Sequence, residues 1–471
     1  MISFFRTYNL LKFVIASLIL VTARIIAIRT GIPMLSPELA WQLTGERMGE
    51  GYSLYKDIWT NVEPLSGLTY YLMDSLFGRS QTAYQVVALI LTLFQALIFN
   101  IALNENKIYA EKTSMPAILY MLFSFIFFDF YTLSPPLLGT TFLVIVFGLV
   151  CTQSKNEKHD GLFFYVGLLT GIASLFYIPF IFFLPCVIIS LELFSSTNLR
   201  KHMVVVLAFL FPYLLLCIYY FWIDNLVAFY TYAIHSVFTL SVSMHINLLT
   251  LLKISILPTL LLILSFVTIA VRSKYIHYQY KIIKVMGAWL LFCLLTLLVT
   301  REISGYSVYI FVPVLSFFCA HLFLLTRHIV FREIIFWGAF AGIFIISFYA
   351  LKKPDSYSSS HLISHPPKEF IALGAEGKKI TVLGNNINYY ADNHLSCPYL
   401  NWELSKVKFS RPNNYQDISD IYETFETNQP DYIVDLEGLT GNIFRRIPSL
   451  KAQYRLVENS TFIYRKNKVV K

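Results

Sequence analysis

A single acid stands just past the first apolar run of this chain. It is Glu38, in the stretch 35–51, "LSPELAWQLTGERMGEG". An ionised carboxylate held at the edge of a membrane could take up a proton. Ser36 reads as an N-cap and Pro37 as the first helical residue, and the positive end of such a helix favours the charged form of Glu38. The plainer alternative uses the same fact, because acids suit the dipole of any first helical turn. A second acid, Asp129 in "FIFFDFYTLSPP", closes an aromatic run. There it is either a functional group in a costly place or a solvated residue just past a span. Asp57, in "YKDIW", is placed to position its loop by hydrogen bonds. Glu38 and Asp129 together could orient an acceptor or hold a divalent cation, but two carboxylates are too few to define a metal site.

The elements that must position these acids are membrane spans. The chain is 56% hydrophobic and only 14% charged, and its mean hydropathy of +0.60 lies outside the range of soluble globular proteins. The expected fold class is therefore a polytopic α-helical membrane protein with a small C-terminal α/β domain. Apolar stretches of roughly 17 to 25 residues, the length that crosses a bilayer, recur to residue 351. They give about eleven candidate spans, near 13–30, 81–103, 116–130, 137–152, 161–176, 178–194, 203–223, 250–271, 285–300, 305–325 and 334–351. The first has the basic flank and apolar centre of a signal peptide but no clean small-x-small cleavage site, so it reads as a retained span. The excess of nine positive charges sits in loops between spans, which argues against nucleic acid. The six cysteines have no metal-ligand spacing.

Charge sets the expected topology. With a cytoplasmic N-terminus, every cytoplasmic loop is basic: Arg6 and Lys12, Lys107 and Lys112, Lys155 and Lys158, Arg200 and Lys201, Arg272 to Lys284, then Arg327 and Arg332. The opposite loops near 131–136, 177 and 224–249 hold no Lys or Arg, the asymmetry of the positive-inside rule. This puts the 31–80 loop, with its amphipathic helices, and the C-terminal domain on the same outer face of the plasma (inner) membrane. The expected domains are 1–351, transmembrane, and 352–471, extracytoplasmic. In the latter, "KKITVLG" and "DYIVDLE" read as strands, "YQDISDIYETFETNQP" as a helix ended by Pro430, and "YRLVENSTFIYRK" as a hairpin turning at 458–460. Gly384 after the first strand lacks a G-x-G-x-x-G context and reads as a plain turn, not a nucleotide site.

Four passages carry a resemblance: residues 37–78, from "PELAWQLTGERMGEG" to "YYLMDSLFG"; "GLLTGIASLFYIPFIFFLPCVI"; "GYSVYIFVPVLSFFCAH"; and "ITVLGNNINYYADNHLSCPYL" followed by "DYIVDLE". In this order they resemble the GT-C superfamily of integral-membrane glycosyltransferases, in the branch of the protein O-mannosyltransferases and lipid A aminoarabinose transferases. The resemblance implies transfer of a sugar from a polyprenyl-phosphate carrier to an acceptor on the outer face, with inversion at the anomeric carbon. It implies the general base role for Glu38, where the family usually has Asp, and an active-site role for Asp129. Such a transfer needs cations for the leaving phosphate and an apolar groove for the lipid. The outer-side candidates are Arg24, Arg29, Arg47, Lys56, Lys253 and Arg301; Lys253 and Arg301, near span ends, either reach a phosphate or snorkel to headgroups. His235 and His245 lie in the loop 224–249, which in relatives contributes to the carrier site, and equally read as ordinary loop residues. Two departures stand out. Glu63 replaces the lysine that contacts carrier phosphate in aminoarabinose transferases, and Tyr306 stands where many relatives have histidine, reading as a packing residue. The expected partners are thus a polyprenyl-phosphate-linked sugar and membrane lipids, with the sugar, the acceptor and any need for a divalent cation left open. The rival readings are a non-catalytic scaffold or lipid-binding subunit of the same fold and a secondary transporter; the last predicts repeated halves and buried charge pairs, and no repeat is visible.

Overall fold

A computed structural model describes residues 10–153, 161–194, 198–272, 277–352, 362–363, 368–411, 413–458 and 462–467. Arg6, Lys155, Lys158, Lys274 and the tip of the 458–460 turn lie outside the described residues. The chain forms two compact units: residues 1–33, 81–219 and 241–360, and residues 34–80, 220–240 and 361–471.

The first unit is helical. Among the described residues, seven helices are long and apolar enough to cross a membrane: Leu11–Arg29, Gln81–Glu105, Pro135–Gln153, Leu199–Trp222, Leu248–Val271, His277–Val299 and Ile329–Lys352. Gly161–Phe176, Ile178–Leu193 and Phe311–Leu325 are shorter. Large apolar side chains such as Leu207, Leu214, Ile256 and Ile345 are exposed on the long helices; in a bilayer these faces meet lipid. The chain is a multi-pass membrane protein. The expected span 116–130 is the largest departure. It forms only a nine-residue helix, Met115–Phe123, followed by a short 3-10 turn, Phe128–Tyr131. Non-helical backbone is tolerated at depth only where protein satisfies it, and Arg24, fully buried, does so by donating from Nη2 to the Phe130 carbonyl at 2.6 Å. Its guanidinium lies 4.2 Å from the Tyr131 ring centroid, so Arg24 is an interior residue and not an outer-surface cation.

One amide ties much of this unit together. Gln95 Oε1 accepts from the Tyr120 and Tyr309 hydroxyls, each at 2.8 Å, while Nε2 donates to the Leu137 carbonyl at 2.9 Å and to Thr141 Oγ1 at 2.7 Å. A buried polar group in an apolar setting persists when it is fully paired in this way. Elsewhere the helices close on glycine. A Cβ at Gly167 would lie 2.2 Å from the Val205 carbonyl, and one at Gly171 2.4 Å from the Phe209 carbonyl. The two glycines, four apart, let the Gly161–Phe176 helix touch the backbone of the Leu199–Trp222 helix, as small-xxx-small pairs do in membranes.

The second unit holds a five-stranded mixed sheet: β1 (Lys379–Leu383), β2 (His394–Leu395), β3 (Tyr432–Asp435), β4 (Tyr454–Glu458) and β5 (Ile463–Lys466), in the order β2-β1-β3-β5-β4. β1 runs parallel to β2 and β3; β5 is antiparallel to β3 and β4. The connecting helix Tyr415–Asn428 buries Ile421 and Phe425 and stops at Gln429, whose φ of 40° precedes Pro430. Gly384 is explained by close approach, since a Cβ there would sit 2.7 Å from Leu436 Cβ. All six cysteines are free, and burial pushes the Cys397 thiol up to about 12.

The glycine contacts generate a test. Gly167→Val and Gly171→Val should each destabilise the first unit by about 1–3 kcal/mol through overpacking, read as a lower thermal midpoint in detergent. Gly287→Ala and Gly338→Ala, with nothing within 4 Å, should stay close to the parent. Equal midpoints for all four would contradict the close helix contact.

Candidate functional site

Glu38 lies in the first turn of the Ser36–Gly49 helix and is 3% exposed. The helix starts one residue earlier than the sequence suggests: Leu35 takes the cap position and Ser36 is already helical. Why the helix is held rigidly is visible in its packing. Leu39 and Leu43 enter a core shared with Ile380 and Val382 of β1, Tyr432 and Val434 of β3, and Ile463 of β5. On another face Trp41 stacks on Tyr70 at 5.6 Å and 8°, and a Cβ at Gly45 would meet the Tyr70 carbonyl at 2.4 Å. The second loop helix, Pro64–Phe77, is thereby locked against the first, with Glu63 at its cap position and mostly buried.

Arg47, on the same helix as Glu38, has both terminal guanidinium nitrogens committed to protein. Nη1 donates to Glu50 Oε2 at 2.7 Å, and Nη2 donates to the Ser396 carbonyl at 2.6 Å and to Asn428 Oδ1 at 3.2 Å. Its guanidinium also sits 3.5 Å from the Tyr52 ring centroid. A second clamp joins the end of this helix to the sheet, where Glu46 meets His394 and, at 3.4 Å, Arg79; Arg79 donates to the Tyr390 and Asn393 carbonyls at 2.7 Å. Asp57 is half-buried and turned on its own loop, its Oδ2 accepting from the Ser53 backbone N–H at 2.9 Å. The loop carries on into the sheet unit through Trp59, whose N–H donates to the Pro398 carbonyl at 2.7 Å. His235 is exposed at the end of a short π-helical turn, Tyr230–His235, near Thr239 Oγ1.

The remaining candidates belong to the first unit. Asp129 is 2% exposed, and Ser304 Oγ donates to its Oδ2 at 3.2 Å. Ser304 is itself fixed by a capping box with Ser307, and the segment before it forms a two-residue parallel strand pair, Glu302–Ile303 against Ser243–Met244. Arg301, half-buried, immediately precedes that strand, and the structure brings Ser304 and Asp129 together. Tyr306 is buried there and its hydroxyl donates to Glu302 Oε2 at 3.4 Å. Lys253 lies apart, lining a groove of about 310 Å³ with Thr250, Ile254, Ile345 and Tyr349. The sequence reading missed Ser304 and the strand pair; the S-x-x-S spacing in "EISGYS" was the available signal. Among the described residues, no group of three or more His, Cys, Asp or Glu side chains is placed to hold a metal ion.

No protein-family model matches the sequence, and neither does any curated protein. Solved structures do match. ArnT from Cupriavidus metallidurans bound to undecaprenyl phosphate aligns with a TM-score of 0.58 at 10% identity, covering 96% of each chain. Its apo state gives 0.56 at 10% identity, over 95% of this chain and 96% of that one. This is a GT-C-like fold. The archaeal oligosaccharyltransferase AglB from Archaeoglobus fulgidus, in complex with an inhibitory peptide and a dolichol-phosphate, aligns at 0.50 and 11% identity, over 98% of this chain and 74% of that one. The GT-C-like architecture accounts for both parts of the chain, the spans and the small mixed sheet.

Arg47→Ala should strip the donor from Glu50, the Ser396 carbonyl and Asn428 and cost the second unit about 2–4 kcal/mol. Hydrogen exchange should then speed up in residues 36–49 and 394–428 while the long helices keep their protection. Unchanged exchange in 36–49 would show that Arg47 does not hold the helix.

Proposed function

We propose that the protein is a polyprenyl-phosphate-dependent glycosyltransferase whose second unit lies on the outer face of the plasma membrane. The observation that carries this reading is Glu38, a carboxylate buried at the start of a helix whose other residues are locked into the sheet's core. Burying an acid in a rigid setting is costly and recurs where the group has a task. The fold supports the same reading, because the similar ArnT structure holds undecaprenyl phosphate and the similar AglB structure a dolichol-phosphate. The basic loops support a cytoplasmic N-terminus. As domains, the reading takes the spans as the carrier-facing part and the segment after residue 351 as the extracytoplasmic part.

The step is a single displacement. The acceptor hydroxyl oxygen attacks the anomeric carbon as its proton passes to the Glu38 carboxylate. The bond between that carbon and the phosphate oxygen breaks, and the electron pair leaves with the polyprenyl phosphate. The positive end of the helix favours the carboxylate form that the attack requires. Asp129, held by Ser304, orients the acceptor. Arg301 and Lys253 are the cations this reading assigns to the leaving phosphate, and Lys253 lines a groove with an apolar wall suited to a prenyl chain. Asp57 shapes the loop, Arg47 holds the Glu38 helix in place, and His235 contributes from the 224–249 loop. Glu63 leaves phosphate contact to these cations.

The experiment is transfer from labelled undecaprenyl-phosphate-linked sugars by the protein in native membrane vesicles, which supply the acceptor. Glu38→Gln should lower the rate by about a hundredfold or more, with Glu38→Asp retaining part of it. Full transfer by Glu38→Gln would remove Glu38 as the base. No transfer by the parent from any carrier sugar would point to a scaffold.

A further inference from the structure

One cavity in the second unit has no part in the chemistry above. It is a solvent-open pocket of about 790 Å³, and its polar lining comes from Asp224, Asn225, Thr231, Tyr232, Gln416 and Asp420. This volume falls within the roughly 300–1,000 Å³ of small-molecule sites. Two stretches far apart in the sequence build it. The turn after the Leu199–Trp222 helix supplies one wall, and the first turns of the Tyr415–Asn428 helix supply the other.

The lining is braced from behind. Asp420 Oδ2 accepts from Lys408 Nζ at 2.5 Å, and the same ammonium sits 4.6 Å from the Trp59 ring centroid. Trp59 in turn stacks on Tyr232 at 5.9 Å and 29°. Carboxylate, cation and two rings thus fix one another's positions. Asn225, 5% exposed, is anchored by a 3.2 Å hydrogen bond from Nδ2 to the Leu54 carbonyl. Asp224 is held by its main chain, in the left-handed region at φ 54°.

The chemistry of this wall selects a ligand. Planar amide and carboxylate groups in fixed positions pair with neighbouring hydroxyls, and an aromatic ring packs against the C–H face of a pyranose. A phosphate is disfavoured, because no cation lines the cavity among the described residues. One of the cavity's two carboxylates, Asp420, is already paired with Lys408, which lowers the attraction for a polycationic peptide. The rim is apolar, with Phe221 and Val227 lining it and both largely exposed, which fits a saccharide presented at a membrane surface. We propose that this cavity binds a neutral saccharide of the transfer acceptor; the saccharide specificity stands on the cavity, and the word acceptor rests on the glycosyltransferase reading.

The test uses the full chain in nanodiscs. Saturation-transfer NMR is recorded with mannotetraose, cellotetraose and chitotetraose, each free and on a lipid anchor, and tetralysine is added as a competitor. At least one saccharide should show transfer, and Tyr232→Ala and Gln416→Ala should each weaken it about tenfold. Gln416 is exposed, so its variant keeps the fold. Binding of the free form would place recognition in the sugar, and binding of the anchored form alone would add the rim. No signal from any saccharide, equal signals in both variants, or displacement by tetralysine would overturn the proposal. In the transfer assay the two variants should raise KM for the acceptor and leave KM for the donor unchanged; an unchanged acceptor KM overturns the acceptor role with the transferase reading intact. Saccharide binding without any transfer keeps the site and removes the transferase reading.

Discussion

Everything specific about Glu38 depends on Leu39 and Leu43 lying in the core of the sheet unit. Burying two leucines contributes on the order of 1.5–3 kcal/mol each, and at helical spacing they fix the rotation of the helix about its axis. Rotation and position then leave the acid at the helix start little freedom. The first loop is consequently part of the second unit's interior and not a flexible connector between spans. Arg47 and the Glu46–His394–Arg79 contacts pin the same helix to the sheet edge at its far end. A base must be within hydrogen-bond reach of the proton that it takes, and a helix fixed at both ends supplies that precision without a ligand to organise it.

The helical unit solves a different problem, that of polar groups away from water. Gln95 meets it by pairing both ends of its amide. Arg24 meets it by serving as the donor for a carbonyl that no helix satisfies. That bond pairs one carbonyl of the non-helical backbone that follows Phe123. Asp129 sits in this irregular stretch, one residue before the carbonyl that Arg24 holds.

Much of this was legible in the sequence. The long helices follow from unbroken apolar runs, and β1, β3 and the hairpin follow from short β-branched segments between turn residues. The nine-residue helix at Met115–Phe123 was not legible, because "FSFIFFDFYTL" is as apolar when irregular as when helical. Composition reports burial, and here it does not report backbone geometry. Arg24 read as an outer cation since nothing local signals a partner more than a hundred residues away. The Ser304–Asp129 bond spans a similar distance, and the two-residue strands at 243–244 and 302–303 are too short to carry a pattern. Glu38 was visible from its helix start, whereas the leucines that lock it read only as one face of an amphipathic helix.

A carboxylate that takes the acceptor proton in one displacement leaves a stereochemical record. The most direct measurement is the anomeric configuration of the product linkage, read from its one-bond carbon–proton coupling after transfer from a polyprenyl-phosphate sugar of known configuration. Inversion is the predicted result. Retention requires two successive displacements through a covalent glycosyl intermediate, or attack from the face the phosphate leaves, and would contradict the role given to Glu38.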